Sequence, residues 1–127
     1  MVKFVPVLGT LVLLGAIVQV VLGFQVAGGC DVLVGPHILF GLIGLILVVG
    51  LTAIAFRTKT STLYSKITII VLTVVVLLQI ALGFQLLNGA EAMVPSHEMN
   101  GLLIVVLALV TGGITSMNAR KQETQTA

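Results

Sequence analysis

The sequence predicts an all-α transmembrane four-helix bundle made of two parallel-repeat helical hairpins, with both termini on the cytoplasmic side, and three observations predict it. Of 127 residues, 58% are hydrophobic and only 8% charged, too few charges to coat a water-soluble globule, whose composition is normally about a quarter charged. Four apolar runs, Phe4 to Val26, His37 to Phe56, Ile67 to Leu87 and His97 to Met117, contain no Lys or Arg. Each is near the ~20 residues with which an α-helix crosses about 30 Å of hydrocarbon. Finally, moving the chain by 60 positions lays Gln19 on Gln79 and the second half of the chain on the first.

The first run follows Lys3 at the N-terminus, as the apolar core of a signal peptide would. It is too long for such a core and it recurs later in the chain, so it reads as a retained helix. Leu, Ile and Val fill all four runs without alternation of period two, so a β-barrel is not a serious competitor. The connections Ala27 to Pro36 and Asn88 to Ser96 carry Asp31 and Glu91 but no basic residue. All six basic residues, Lys3, Arg57, Lys59, Lys66, Arg120 and Lys121, fall at the opposite side of the four spans. By the positive-inside rule that side is cytoplasmic, in a multi-pass protein of the cell membrane. Residues 118–127 form a polar cytoplasmic tail that is expected to fray. A net charge of +2 is thereby accounted for by topology; the basic residues are neither clustered nor interleaved with aromatics, and nucleic acid is not a partner.

The single membrane domain divides into repeat 1, about 4–56, and repeat 2, about 67–117. Gln19-Val-Val-Leu-Gly-Phe-Gln25 aligns with Gln79-Ile-Ala-Leu-Gly-Phe-Gln85, and the register continues without a gap through Gly29 and Gly89, Asp31 and Glu91, Val34 and Val94, His37 and His97, Gly41 and Gly101. Hydrophobicity alone would not match polar residues and glycines together. Each unit goes out and comes back, so the repeats are parallel and related by a pseudo-twofold axis along the membrane normal. That axis sets His37 and His97 at one depth near the outer face, able to face each other across the bundle.

A histidine within a membrane span marks a functional site by default; the bland alternative is that both lie near water at helix ends and that duplication copied an idle residue. Two facing imidazoles suit a haem iron, with axial ligands on opposite sides of a flat macrocycle. Zinc or copper would want more ligands, and the nearby Cys30, Asp31, Glu91, Glu98 and Met99 are not duplicated as a set. His37 and His97 are thus the candidate iron ligands. Gly41 and Gly101, one turn below them, with Gly44 beyond, are expected to leave room for a porphyrin, close helix packing being the competing explanation. Gln19 with Gly23, and Gln79 with Gly83, form polar-small pairs pointing inward, the amides bonding to each other, to a carbonyl or to the cofactor edge. For the propionates the outer connections offer no basic side chain, only helix N-termini at Pro36 and Ser96 and backbone amides of Gly28, Gly29 and Gly89. The lone Cys30 removes dithiol oxidoreductase chemistry.

With these residues in place the chain resembles the haem A synthase family. The likeness lies in the run Leu-x-x-x-x-x-Gln-x-x-Leu-Gly from Leu13 to Gly23, again with changes from Thr73 to Gly83, followed by a glycine-containing connection and a histidine at the outer end of the next helix. It covers about 90 residues. The resemblance implies four-helix halves in which the histidines of the second and fourth helices, here His37 and His97, ligate one haem. The sequence departs from the family where Val34 and Val94 replace its catalytic glutamate, where Ile38 and Glu98 replace an arginine after the histidine, and where the cysteine pair is reduced to Cys30.

The expectation is a b-type cytochrome with one haem b per chain, no catalytic residue of its own, and electron transfer linked to quinol. Glu98 is the candidate proton acceptor, Asp31 and Glu91 lesser ones, against a reading of all three as solvated carboxylates. Besides lipid and quinone, the partners expected are other membrane subunits or a second copy of the chain. The alternatives are a half-size haem A synthase relative acting as an oligomer, and a cofactor-free small subunit of a membrane respiratory complex packing through Gly50, Gly112 and Gly113. A transporter is disfavoured by the lack of paired charges within the spans.

Overall fold

The computed structural model describes residues 4–58 and 61–126; Lys3 and Lys59, two of the basic residues used to orient the chain, lie outside them. Four helices make up the structure: α1 (Phe4–Ala27), α2 (Val34–Arg57), α3 (Leu63–Leu87) and α4 (Val94–Thr126). All four are long and apolar enough to cross a membrane, the shortest reaching about 36 Å at 1.5 Å per residue. Each helix packs against its neighbours in sequence, and α1 against α4 closes the ring, leaving α1/α3 and α2/α4 as the two diagonals.

The helices are apolar all round, so burial is decided by packing. On α1 the buried face is Val5, Gly9, Val12 and Ala16, and on α3 Ser65, Ile69, Leu72 and Val76. On α2 it is Val48, Leu51 and Ala55; on α4 it is Asn100, Ile104, Ala108, Thr111 and Thr115. The steps of three and four give the narrow stripe by which long, nearly antiparallel helices interlock. The faces of α1 and α3 coincide under the 60-residue shift, and those of α2 and α4 do so from Val48 and Ala108 onward. Most large apolar side chains outside these stripes are exposed, Leu14, Ile46, Val74 and Leu109 among them, as a lipid-facing surface requires. Across α2 and α3 the hydroxyls of Thr52 and Thr73 meet at 2.8 Å.

The connections from α1 to α2 and from α3 to α4 have one geometry. Gly29 and Gly89 have positive φ, 92° and 84°. Around each, the helix closes with Cys30 N–H donating to Gln25 O and Gly29 N–H to Val26 O, and with Ala90 N–H donating to Gln85 O and Gly89 N–H to Leu86 O. This cap satisfies carbonyls that a helix end leaves open, and it needs a left-handed residue that glycine adopts without strain. A single 3-10 turn follows, Asp31–Leu33 or Glu91–Met93, and the next helix starts at once.

These connections are therefore shorter than Ala27 to Pro36 and Asn88 to Ser96. Pro36 and Pro95 lie inside the first turns of α2 and α4, where a missing N–H costs nothing, and Ser96 sits within its helix rather than capping it. At the other end α3 begins at Leu63, where Thr62 accepts a hydrogen bond from Ser65 N–H at 3.3 Å. Residues 118–126, expected to fray, continue α4 as helix; Ala, Arg, Lys, Gln and Glu are good helix formers, and Asn118 Nδ2 donates to Ser65 Oγ at 2.8 Å and Thr62 Oγ1 at 3.0 Å.

Gly89→Ala forces a Cβ into a left-handed position and is expected to destabilise the bundle by about 1–2 kcal/mol. Gly44→Ala adds a Cβ to open space within a helix and is expected to be neutral or stabilising by up to about 1 kcal/mol. Unfolding by SDS titration in mild detergent, followed by circular dichroism, checks the order of the two.

Candidate functional site

His37 and His97 are each the fourth residue of their helix, α2 and α4, helices on one diagonal of the bundle. Their rings face each other with centroids 6.0 Å apart and planes inclined by 70°. Both residues are partly buried, and the Nδ1 atom of each is buried without a hydrogen-bond partner. The other six duplicated residues surround them.

Behind each ring stands a glycine of the preceding helix. A Cβ on Gly23 would lie 3.2 Å from His37 Cε1, and one on Gly83 would lie 3.3 Å from His97 Cε1. One turn deeper the arrangement is inverted: the side chain comes from the first helix of the hairpin and the glycine from the second. A Cβ on Gly41 would lie 2.8 Å from Gln19 Nε2, and one on Gly101 would lie 3.3 Å from Gln79 Nε2. Each hairpin is locked by two knobs in two holes, His37 against Gly23 and Gln19 against Gly41 in the first, His97 against Gly83 and Gln79 against Gly101 in the second.

The eight residues expected at the site therefore converge, but the glycines serve differently from the expectation. The space beside Gly41 and Gly101 is filled by glutamine amides, since an amide inside the bundle packs against whatever backbone will accept or admit it. Gly44 adjoins open space and lines no part of this cluster. The N–H groups of Gly28, Gly29 and Gly89, expected as anion donors, are spent on the carbonyls of Phe24, Val26 and Leu86. Among the described residues no group of three or more His, Cys, Asp or Glu side chains could hold a metal ion, so Cys30, Asp31, Glu91 and Glu98 do not assemble with the histidines into a closed metal cage.

The repeats diverge in their hydrogen bonds. Gln19 Nε2 donates to the backbone carbonyl of His37 at 2.8 Å, and its Oε1 is buried without a partner. Gln79 Nε2 instead meets His97 Nε2 at 3.2 Å, and its Oε1 accepts from Asn100 Nδ2 at 2.8 Å. Asn100, 8% exposed, also donates to the carbonyl of Val75 at 3.0 Å. Sequence reasoning missed this residue; the available signal was an amide within an apolar span whose counterpart in repeat 1 is Phe40.

Compared with known proteins, the chain matches no family model, and neither a curated protein nor a solved structure is similar to it.

Gly41→Ala puts a methyl group where Gln19 Nε2 lies and must break its bond to the His37 carbonyl, an expected loss of about 1 kcal/mol. Gly101→Ala leaves more room, so a smaller loss is expected there. SDS unfolding of the two variants side by side measures the difference.

Proposed function

We propose that the chain is a membrane haem protein in which His37 and His97 would hold one haem b, and that it carries electrons. The observation supporting this most directly is the facing imidazole pair at 6.0 Å. The donor set fits as well: imidazole nitrogens are ligands that a haem iron takes, and two of them suffice where zinc or copper would want more. Each ring also keeps a buried, unpartnered Nδ1.

When bound, the haem supplies one-electron chemistry. The chain's residues hold and shape it. His37 and His97 would both be ligands of the iron, a donor set that suits electron transfer rather than oxygen binding. The Gln19 and Gln79 amides fill the space beside Gly41 and Gly101 and lie next to the two histidines that would hold the haem. Gly23 and Gly83 let the rings lie back against α1 and α3. With so little surface outside the spans, a quinol in the lipid phase is the donor class that suits the protein, and Glu98, next to His97 in sequence, is the proton acceptor proposed for it. The likeness to haem A synthases supports the ligand assignment; their oxygenating activity is not proposed, because Val34 and Val94 stand where the family has its glutamate.

Arg57 ends α2, Lys66 lies in the first turn of α3, and Arg120 and Lys121 lie near the end of α4. These residues gather at the end of the bundle away from the histidines, and both termini are proposed to be cytoplasmic with the histidine pair toward the outer face. A second reading, a cofactor-free subunit of a larger membrane complex, is favoured by one observation: the knob-and-hole contacts give all four glycines and both histidine rings a packing role without any ligand.

Reduced-minus-oxidised visible spectra and a pyridine haemochrome assay on detergent-purified protein decide between the readings. Sharp low-spin bands, lost in both His37→Ala and His97→Ala, are the expected result. A folded, monodisperse sample that takes up no haem when haem is supplied would leave the structural subunit as the better account.

A further inference from the structure

Hydrogen bonds around His97 form a chain whose direction is fixed at one end. The carbonyl of Val75 can only accept, so the Asn100 atom 3.0 Å from it is the amide nitrogen. The second hydrogen of that nitrogen points to Gln79, 2.8 Å away, and the atom receiving it must be Oε1. Gln79 therefore turns its own nitrogen toward His97 Nε2 at 3.2 Å. An amide nitrogen donates and does not accept, so His97 Nε2 carries its lone pair toward Gln79 and the ring proton of the neutral imidazole is on Nδ1.

Nothing equivalent acts on His37. Phe40 stands at the position of Asn100 and Gly15 at that of Val75, and the Gln19 nitrogen is taken up by the His37 main-chain carbonyl instead of its ring. Two histidines that a repeat makes identical in sequence and depth are thus made unlike by one amide present in a single copy.

We propose that Asn100 and Gln79 are positioning residues for His97, holding it before any ligand arrives as the tautomer with a bare Nε2, while His37 is left free to adopt either form. In that arrangement Gln79 N–H occupies the lone pair that an incoming metal would take, and the second histidine is the pre-set ligand of the pair. Its use as a ligand rests on the haem reading; the direction of the hydrogen-bond chain does not. The same logic governs metal sites generally, where the partner of a histidine's other atoms decides which nitrogen is available.

The test is nitrogen NMR of the full chain, labelled with ¹⁵N-histidine, in detergent and prepared without added haem, its visible spectrum confirming that none is bound. His97 is expected to show a bare, pyridine-like Nε2 and a protonated Nδ1, and His37 a mixture. In Gln79→Met and in Asn100→Leu the His97 Nε2 resonance is expected to move toward the protonated position, whereas Gln19→Met leaves it in place. Asn100 is buried, and should its replacement fail to fold, Gln79→Met alone decides. A protonated Nε2 on His97 in the unsubstituted protein, or an unchanged His97 in folded Gln79→Met, overturns the proposal. Haem added afterwards separates the two claims: a chain with the expected tautomer that takes up no haem keeps the positioning pair and loses the cytochrome reading.

Discussion

An amide side chain sunk in hydrocarbon has no water to turn to, and each hydrogen bond it leaves unmade costs on the order of a kcal/mol or more. Gln19 and Gln79 are such side chains, and much of the histidine-bearing half of the bundle is arranged around them. Each needs a neighbouring helix close enough to offer an acceptor and small enough at the contact to admit an amide, which is what Gly41 and Gly101 provide. Bringing α1 and α2 together at that depth then leaves no room for a side chain behind His37, and Gly23 answers that; Gly83 does the same behind His97. The histidines face each other across the diagonal because the two hairpins, so locked, pack symmetrically.

Symmetry of backbone coexists with asymmetry of chemistry. Val5, Phe40, Leu51 and Ala55 of repeat 1 correspond to Ser65, Asn100, Thr111 and Thr115 of repeat 2, and all four of the latter are buried. Ser65 and Asn100 link α3 to α4 by side-chain hydrogen bonds, and Thr115 Oγ1 returns to the carbonyl of Thr111. The second hairpin thus adds Asn100 and Ser65 contacts between its helices to the glutamine bond of the kind that the first also makes. Such contacts contribute modestly in a membrane, roughly 0.6 kcal/mol apiece, but they are directional, and direction is what separates the surroundings of His97 from those of His37.

Much of this was legible in the sequence. Span length and composition gave four helices, and the 60-residue register placed the histidines at one depth; the structure repeats that register down to the positive-φ glycines and the 3-10 turns. Boundaries were harder to read, because the first turn of a helix tolerates Pro36, Pro95 and Ser96 as readily as a loop does, and because Ala119, Arg120 and Lys121 can extend a helix beyond its apolar run. The glycines at 23, 41, 83 and 101 were recognised as spaces but not by what fills them, since occupancy depends on the rotation of the facing helix. Asn100 escaped for the opposite reason: looking for what the repeats share hides the residue that only one of them has.

The contact between the hairpins has its own geometry. α1 packs on α4 and α3 on α2, two pairs that the pseudo-twofold axis exchanges, so the interface between hairpins is isologous in arrangement though more extensive on the α1/α4 side. Each hairpin carries the complement of its own exposed stripe, and the short link from α2 to α3 turns what would be a bimolecular encounter in the membrane into an intramolecular one, at an effective concentration on the order of millimolar. The molecule is in that sense a tethered dimer of hairpins. Tethering frees the halves from having to be identical, and a residue such as Asn100 can then be placed on one side of the axis without a twin colliding with it on the other.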